Sequence, residues 1–259
     1  MKKTNITKLF AFGAVALASS FACAQTASAP KSSVQLYGIV DVAYRYTNNE
    51  GAGKDGLSKM IGGGMSQSRL GINVEEDLGG GSKALVVLEN RLNADDGSVS
   101  TPFFQLSYVG LQGPYGRLTA GRQWNVLFDV VTSTYASFPY SPYMEAYKPE
   151  LGMAMGARTS NMLKYTFATP DRSFVGSLQY SFDENNDTKA LEAGLPASAA
   201  QVPAYVASTL NGGAWKTAGG YLRYSANGFA LGGGYLRTTL PGGTDVDAWT
   251  LGGSYRTGP

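Results

Sequence analysis

The stretch Val34-Gln35-Leu36-Tyr37-Gly38-Ile39-Val40-Asp41-Val42-Ala43-Tyr44-Arg45-Tyr46 alternates with a period of two. Its even positions read Val, Leu, Gly, Val, Val, Tyr and Tyr, against Gln, Tyr, Ile, Asp, Ala and Arg at the odd ones. Side chains alternate across a strand but recur every 3.6 residues on a helix, so this is a strand with one apolar and one largely polar face. The pattern returns where Leu70, Ile72 and Val74 oppose Arg69, Asn73 and Glu75. Beyond Asp77-Leu78-Gly79-Gly80-Gly81 it returns again, with Ala84, Val86 and Leu88 opposing Lys83, Glu89 and Arg91. Later runs cover 103–111, 117–123, 160–169, 173–182, 215–225, 228–238 and 246–256. About ten strands of roughly nine to thirteen residues result, the length a tilted strand needs to cross a bilayer.

The connections alternate in length. Those at 77–81, 113–116, 170–172 and 226–228 are tight and built on Gly, Pro, Asn and Asp, whereas 48–59, 93–101, 124–157 and 183–213 are long and polar. Short turns at one end and long loops at the other are the plan of an outer-membrane barrel. A soluble β-sandwich or lipocalin-like barrel also alternates, but it buries its apolar face in a shared core and uses shorter strands. The expected fold is all-β, an antiparallel transmembrane β-barrel. Hydrocarbon leaves no partner for a free backbone N–H or C=O, so strands persist there only in a closed ladder. Apolar faces then meet lipid and polar faces a lumen. Tyr44, Tyr46, Tyr108, Tyr165, Phe167, Phe174 and Tyr180 are the expected aromatic girdles.

Composition agrees. Of 259 residues, 34 are Gly and 16 Tyr, while charged residues make up only 15%, against roughly 25% in a soluble domain. With no His and one Cys, a Ser-His-Asp triad, a Cys-His dyad and the usual zinc sites are excluded, as is an intrachain disulfide. No enzyme activity, cofactor or metal is expected. The first segment carries Lys2 and Lys3, an apolar run from Leu9 to Ala22, and small residues in Ala22-Cys23-Ala24. It reads as a secretory signal peptide over residues 1–24, cleaved before Gln25. Without Lys2, Lys3 and Lys8 the chain holds 18 basic and 19 acidic residues, and it has no basic cluster to attract nucleic acid.

Several segments resemble the general porins of Gram-negative bacteria, trimeric channels of sixteen strands. Ser33-Val34-Gln35-Leu36-Tyr37-Gly38-Ile39-Val40-Asp41 is similar to the family's first mature strand. Ser68-Arg69-Leu70-Gly71 and Glu76-Asp77-Leu78-Gly79-Gly80-Gly81 resemble its second strand and first periplasmic turn. Tyr108-Val109-Gly110-Leu111 and Gly121-Arg122-Gln123 resemble the strands leading to its third loop, and Lys148-Pro149-Glu150-Leu151-Gly152 resembles that loop's Pro-Glu-Phe-Gly motif, with Leu for Phe. Gln105 stands where relatives often carry Arg. The family continues for several more strands and ends in an aromatic residue, whereas this sequence stops at Thr257-Gly258-Pro259. Residues 25–259 are accordingly expected to be the N-terminal part of a porin barrel domain.

The resemblance implies a water-filled outer-membrane channel for passive diffusion of ions and small hydrophilic solutes, assembled as a homotrimer in lipid. It implies that the loop 124–157 folds inward and brings Glu145 and Glu150 to a constriction, with Asp129 near its start. By parity, Arg45, Arg69, Lys83, Arg91, Arg117, Lys164 and Arg223 fall on the lumen side, some of them paired with Asp41, Glu75 or Glu89. A truncated non-functional fragment and a non-conducting adhesin barrel are the alternatives. A barrel lipase or protease lacks its usual base.

Overall fold

A computed structural model describes residues 32–50, 53–134, 157–182, 216–239 and 245–256. The expected leader, Glu145, Glu150 and the connection 183–213 lie outside them. Among the described residues twelve strands form: β1 (Ser33–Ile39), β2 (Val42–Glu50), β3 (Asp55–Gly62), β4 (Arg69–Gly79), β5 (Ser82–Leu92), β6 (Val99–Gly113), β7 (Gly116–Trp124), β8 (Arg158–Ala168), β9 (Phe174–Ser181), β10 (Lys216–Ala226), β11 (Phe229–Thr239) and β12 (Asp245–Tyr255). A helix, α1 (Val126–Thr134), follows β7.

Ten strands make one antiparallel sheet in the order β1-β4-β5-β6-β7-β8-β9-β10-β11-β12, and β2 and β3 pair separately. The expected strand over 34–46 is therefore two strands. The break has a visible cause: the Asp41 carboxylate accepts hydrogen bonds from the backbone N–H of Gly64 (2.9 Å), Met65 (2.8 Å) and Ser66 (2.7 Å), and Ser68 Oγ accepts the N–H of Asp41. These bonds replace ladder bonds, and the chain continues as the β2–β3 hairpin. The expected loop 48–59 is mostly this hairpin.

The tight turns follow their residues. Gly79, Gly80 and Gly81 all take the left-handed conformation (φ 78°, 61° and 78°), where a side chain would be strained. Asp77 Oδ1 accepts the Gly79 N–H at 2.8 Å. Asn227 and Gly228 are both left-handed, as a two-residue hairpin turn requires. In the turn before β9, hydrogen bonds from Thr169 and Ser173 hold the Asp171 carboxyl below the usual carboxylate range.

The two faces differ as the alternation demands. Across the ladder Arg117, Thr166, Ser177, Tyr221, Gly234 and Thr250 mark one face, joined by register. Thr119, Gln123, Ser177, Gln179, Ser181, Thr217 and Thr238 on this inner face are buried. The outer face exposes Leu118, Leu163, Leu178, Leu222, Leu231, Trp249 and Leu251. Tyr44, Tyr46, Tyr165, Phe167, Phe174 and Tyr180 are likewise exposed. Tyr108 is the exception among the expected girdle residues. Its ladder partners are Val87 and Gly121, which place it on the inner face. Both faces of β6 carry apolar residues there, so alternation alone could not choose between them.

Helix α1 lies against the inner face of β9–β12. Val126 and Leu127 pack with Leu236 and Ala248, and Tyr221 borders the cluster. Gly232 makes room for the helix, because a Cβ there would stand 2.7 Å from Thr134 Oγ1 and 2.9 Å from Val130 Cγ2. Among the described residues no helix is long and apolar enough to cross a membrane.

Candidate functional site

The inner face gathers its charges in tiers. At the upper end, where β4, β5, β7 and β8 approach the long connections, Arg69 stands opposite Arg91 in the ladder. Both reach for Glu89, at 4.0 Å and 3.7 Å, and the Tyr37 hydroxyl donates to Glu89 Oε2 at 3.1 Å. Arg69 also donates to Ser66 Oγ (2.8 Å) and the Gln67 carbonyl (3.2 Å), and Arg91 donates to Gln67 Oε1 (2.8 Å).

Two further arginines join them that alternation did not assign. The guanidinium of Arg158 lies 3.7 Å from the centroid of the Trp124 ring, whose centroid is 5.5 Å from Arg91, and Phe128 stacks on the same indole at 3.9 Å. Cation–π contacts of this kind hold a guanidinium without neutralising it. Arg122 donates to Ser160 Oγ at 2.9 Å. Arg91, Arg122, Arg69 and Glu89 are all within electrostatic range of Arg158. Nε and Nη2 of Arg158 and Nε of Arg122 are buried without a hydrogen-bond partner among the described residues. Among the described residues this group holds four guanidinium groups and one carboxylate, Glu89, which Arg69 and Arg91 approach.

Arg122 escaped the sequence reading because β7 and β8 slip register between Gly121 and Gln123. Gly121 (φ 127°) and Asn161 (φ 51°) form the irregularity, and a Cβ at Gly121 would lie 2.3 Å from the Ser107 carbonyl oxygen. Such a bulge re-aims the side chain beside it. Gly121-Arg122-Gln123 was the available signal. Arg158 was missed because β8 begins two residues before the expected strand.

One turn into α1, the Lys164 ammonium donates to Asp129 Oδ2 at 2.8 Å and to the Trp124 carbonyl at 2.8 Å. Asn125 caps the helix, its Oδ1 accepting the Phe128 N–H at 2.8 Å. Gln179 Oε1 accepts the Val126 N–H at 2.7 Å, and Ser254 donates to the Thr134 carbonyl. Side chains of β8, β9 and β12 therefore tether the helix.

The remaining basic residues are distributed differently. Lys83 pairs with Glu75 at 2.9 Å near the β4–β5 turn. Arg45 lies in the β2–β3 hairpin rather than the ten-stranded wall, 3.6 Å from Glu50, which also binds Lys59. Arg117 and Arg223 lie on the inner face nearer the tight turns, with Thr166 and Gly232 as ladder partners. Asp41 pairs with none of these bases; its oxygens are taken by backbone N–H groups. Among the described residues no group of three or more Asp, Glu, His or Cys is placed to hold a metal.

The profile of the Gram-negative porin family matches residues 11–259. Outer membrane porin protein 32 of Delftia acidovorans is 33% identical over 246 residues, covering 91% of this chain and 63% of that protein. An outer membrane porin protein of Bordetella pertussis is 32% identical over 208 residues, covering 72% of this chain and 49% of that protein. The chain spans less than two thirds of either relative. Among solved structures, an anion-selective porin from Comamonas acidovorans superposes with a TM-score of 0.66 at 29% identity, over 87% of this chain and 64% of that one. OmpT of Vibrio cholerae, in a loop-deletion form, matches with a TM-score of 0.55 at 17% identity over 88% and 66% of the two chains, a likeness of fold.

Proposed function

Because this chain belongs to the Gram-negative porin family, we propose that it walls a water-filled channel for passive diffusion of small hydrophilic solutes, with a preference for anions. Its place is the outer membrane, as for the relatives it matches. The observation that carries the anion preference is the cluster of Arg69, Arg91, Arg122 and Arg158 around Glu89 and Trp124. Helix α1 starts beside this cluster and lies against the inner face, and we take it as the beginning of a loop that narrows the lumen. Fixed charges of one sign at a narrow place orient water, favour counter-charged solutes and make passage costly for apolar ones. No bond is made or broken.

The test is the reversal potential of the complete protein across a tenfold KCl gradient. Anions are expected to be preferred weakly, and most strongly in dilute salt, because screening limits each charge to a Debye length of about 8 Å at physiological ionic strength. A clear cation preference would overturn the assignment of the arginine cluster to the narrow zone. The adhesin reading predicts no stable current at all.

A homotrimer is also proposed, on the asymmetry of the outer face. On β8–β12 that face carries Tyr165, Phe167, Phe174, Tyr180, Tyr224, Phe229, Tyr235, Trp249 and Tyr255, with rings paired at Phe174–Tyr224 and Phe229–Tyr255. On β1 and β4 it carries exposed Val34, Leu36, Leu70 and Ile72 instead. Aromatic belts mark lipid interfaces, so the smooth aliphatic side is the surface to bury against a neighbour. The β2–β3 hairpin runs between β1 and β4 in the chain, and its Gly62 lies close to Asn93, Ala94 and Asp95 of the connection 93–101. The complete protein is expected to migrate as an SDS-resistant trimer when unheated, and a monomer at every concentration in mild detergent would refute it.

A further inference from the structure

Beyond the last turn of α1, at the tight-turn end of β10–β12, lies a cavity of about 260 Å³ bordered by Ser133, Arg223, Ser225, Ser254 and Arg256. Its origin is legible in the ladder. Arg223 faces Gly232 across β10–β11, and Gly232 faces Gly252 across β11–β12, so neither ladder neighbour on that side contributes a side chain of its own. Arg256 is positioned by its N–H, which donates to the Gly228 carbonyl at 2.9 Å.

Among the described residues that border it are two cations and no acid. Neither arginine has a carboxylate partner among the described residues, and Nε of Arg223 is buried without a hydrogen-bond partner. A simpler role would be to offset the negative end of the α1 dipole. The Thr134 carbonyl is instead taken by the Ser254 hydroxyl, and no bond from either arginine to a helix carbonyl is found among the described residues. Asp171, in the adjoining turn, spends its carboxylate on Ser173 N (3.1 Å) and Ser173 Oγ (2.9 Å). Guanidinium pairs favour oxyanions because their planar N–H forks match two oxygens at once. A space smaller than the roughly 300–1,000 Å³ of drug-sized pockets suits a compact one.

We infer that this cavity, which presupposes the channel reading, is a second anion site on the periplasmic-turn side of α1, taking a compact dianionic oxyanion such as inorganic phosphate between Arg223 and Arg256. Isothermal titration of inorganic phosphate into the complete protein in detergent decides the matter whether or not the protein conducts. Saturable binding is expected, weakened about tenfold by Arg223→Gln and by Arg256→Gln, the order expected when a charged hydrogen-bond donor is lost. Arg223→Lys, which keeps the charge and guards against misfolding, should retain most of the affinity. In bilayers the same variants should relieve phosphate block of the chloride current in parallel. Phosphate binding that neither Gln variant weakens would place the ion at the Arg158 cluster and overturn this site, as would the absence of binding. Loss of conduction with binding intact would instead sink the channel reading alone.

Discussion

Replacing Arg122 and Arg158 together by Glu is expected to reverse the sign of the reversal potential. Among the described residues the cluster counts four guanidinium groups against the carboxylate of Glu89. The double replacement leaves Arg69 and Arg91 facing three carboxylates, so the local excess changes from positive to negative. Folding should survive, because the replacement removes Arg158 Nε and Nη2 and Arg122 Nε, which are buried without hydrogen-bond partners among the described residues. A carboxylate beside Arg91 and Arg69 relieves repulsion between like charges, which within a few ångströms costs on the order of kcal/mol even at protein-surface dielectric. Arg158→Glu alone leaves a small positive excess and should abolish most of the preference without reversing it. The measurement is the reversal potential in a tenfold KCl gradient, repeated at low and high mean salt. The shift must shrink as salt rises, since the groups act through water. Unchanged values in both variants would mean that the narrow zone lies elsewhere.

The ten strands of the main sheet were legible because one face of each is apolar and the other polar, which writes a period of two into the chain, but their lengths were less so: β1 stops after seven residues and β9 after eight. Charge placement was legible for the same reason at Arg69, Lys83, Arg91, Lys164 and Arg223, which register puts on the inner face. What escaped depends on irregular backbone or on tertiary contacts. Alternation presumes an unbroken ladder, so it failed at Arg122, where Gly121 and Asn161 shift the register, and at Arg45, which lies beyond the break at Asp41. Helix α1 escaped for a different reason. Its residues, Val-Leu-Phe-Asp-Val-Val-Thr-Ser-Thr, include five β-branched side chains of modest helix propensity. It is helical because Asn125 caps it and because Val126, Leu127, Val130 and Val131 are buried against the wall. Tertiary packing commonly overrides propensity in so short a segment.

The tether between that helix and the wall yields the second large effect. Lys164 is almost wholly buried, and its ammonium holds Asp129 Oδ2 and the Trp124 carbonyl at once. Lys164→Met fills similar volume but leaves both acceptors without their donor. Removing one partner of a fully buried pair costs about 3–5 kcal/mol, and because a quarter of the Asp129 side chain is exposed, about 2 kcal/mol is the better expectation here. Asp129 sits in the first turn of α1, where the helix dipole still favours a negative charge, so the helix itself should persist. It loses its charged anchor to β8 and keeps the neutral contacts of Gln179 and Ser254. Single-channel current through Lys164→Met should therefore become noisier, with sublevels, and thermal unfolding should occur at lower temperature. Loss of the cation also alters the local field, which would confuse the reading of conductance alone. The double variant Asp129→Asn, Lys164→Met separates the two, since it restores the parent net charge without restoring the tether. Noise that persists in the double variant belongs to the tether, and noise that disappears belongs to charge. In the thermal data, removing the stranded carboxylate should recover part of the lost stability. Strictly additive effects of the two single replacements would show that Lys164 and Asp129 are not energetically coupled, and the helix would then be held by its apolar face alone.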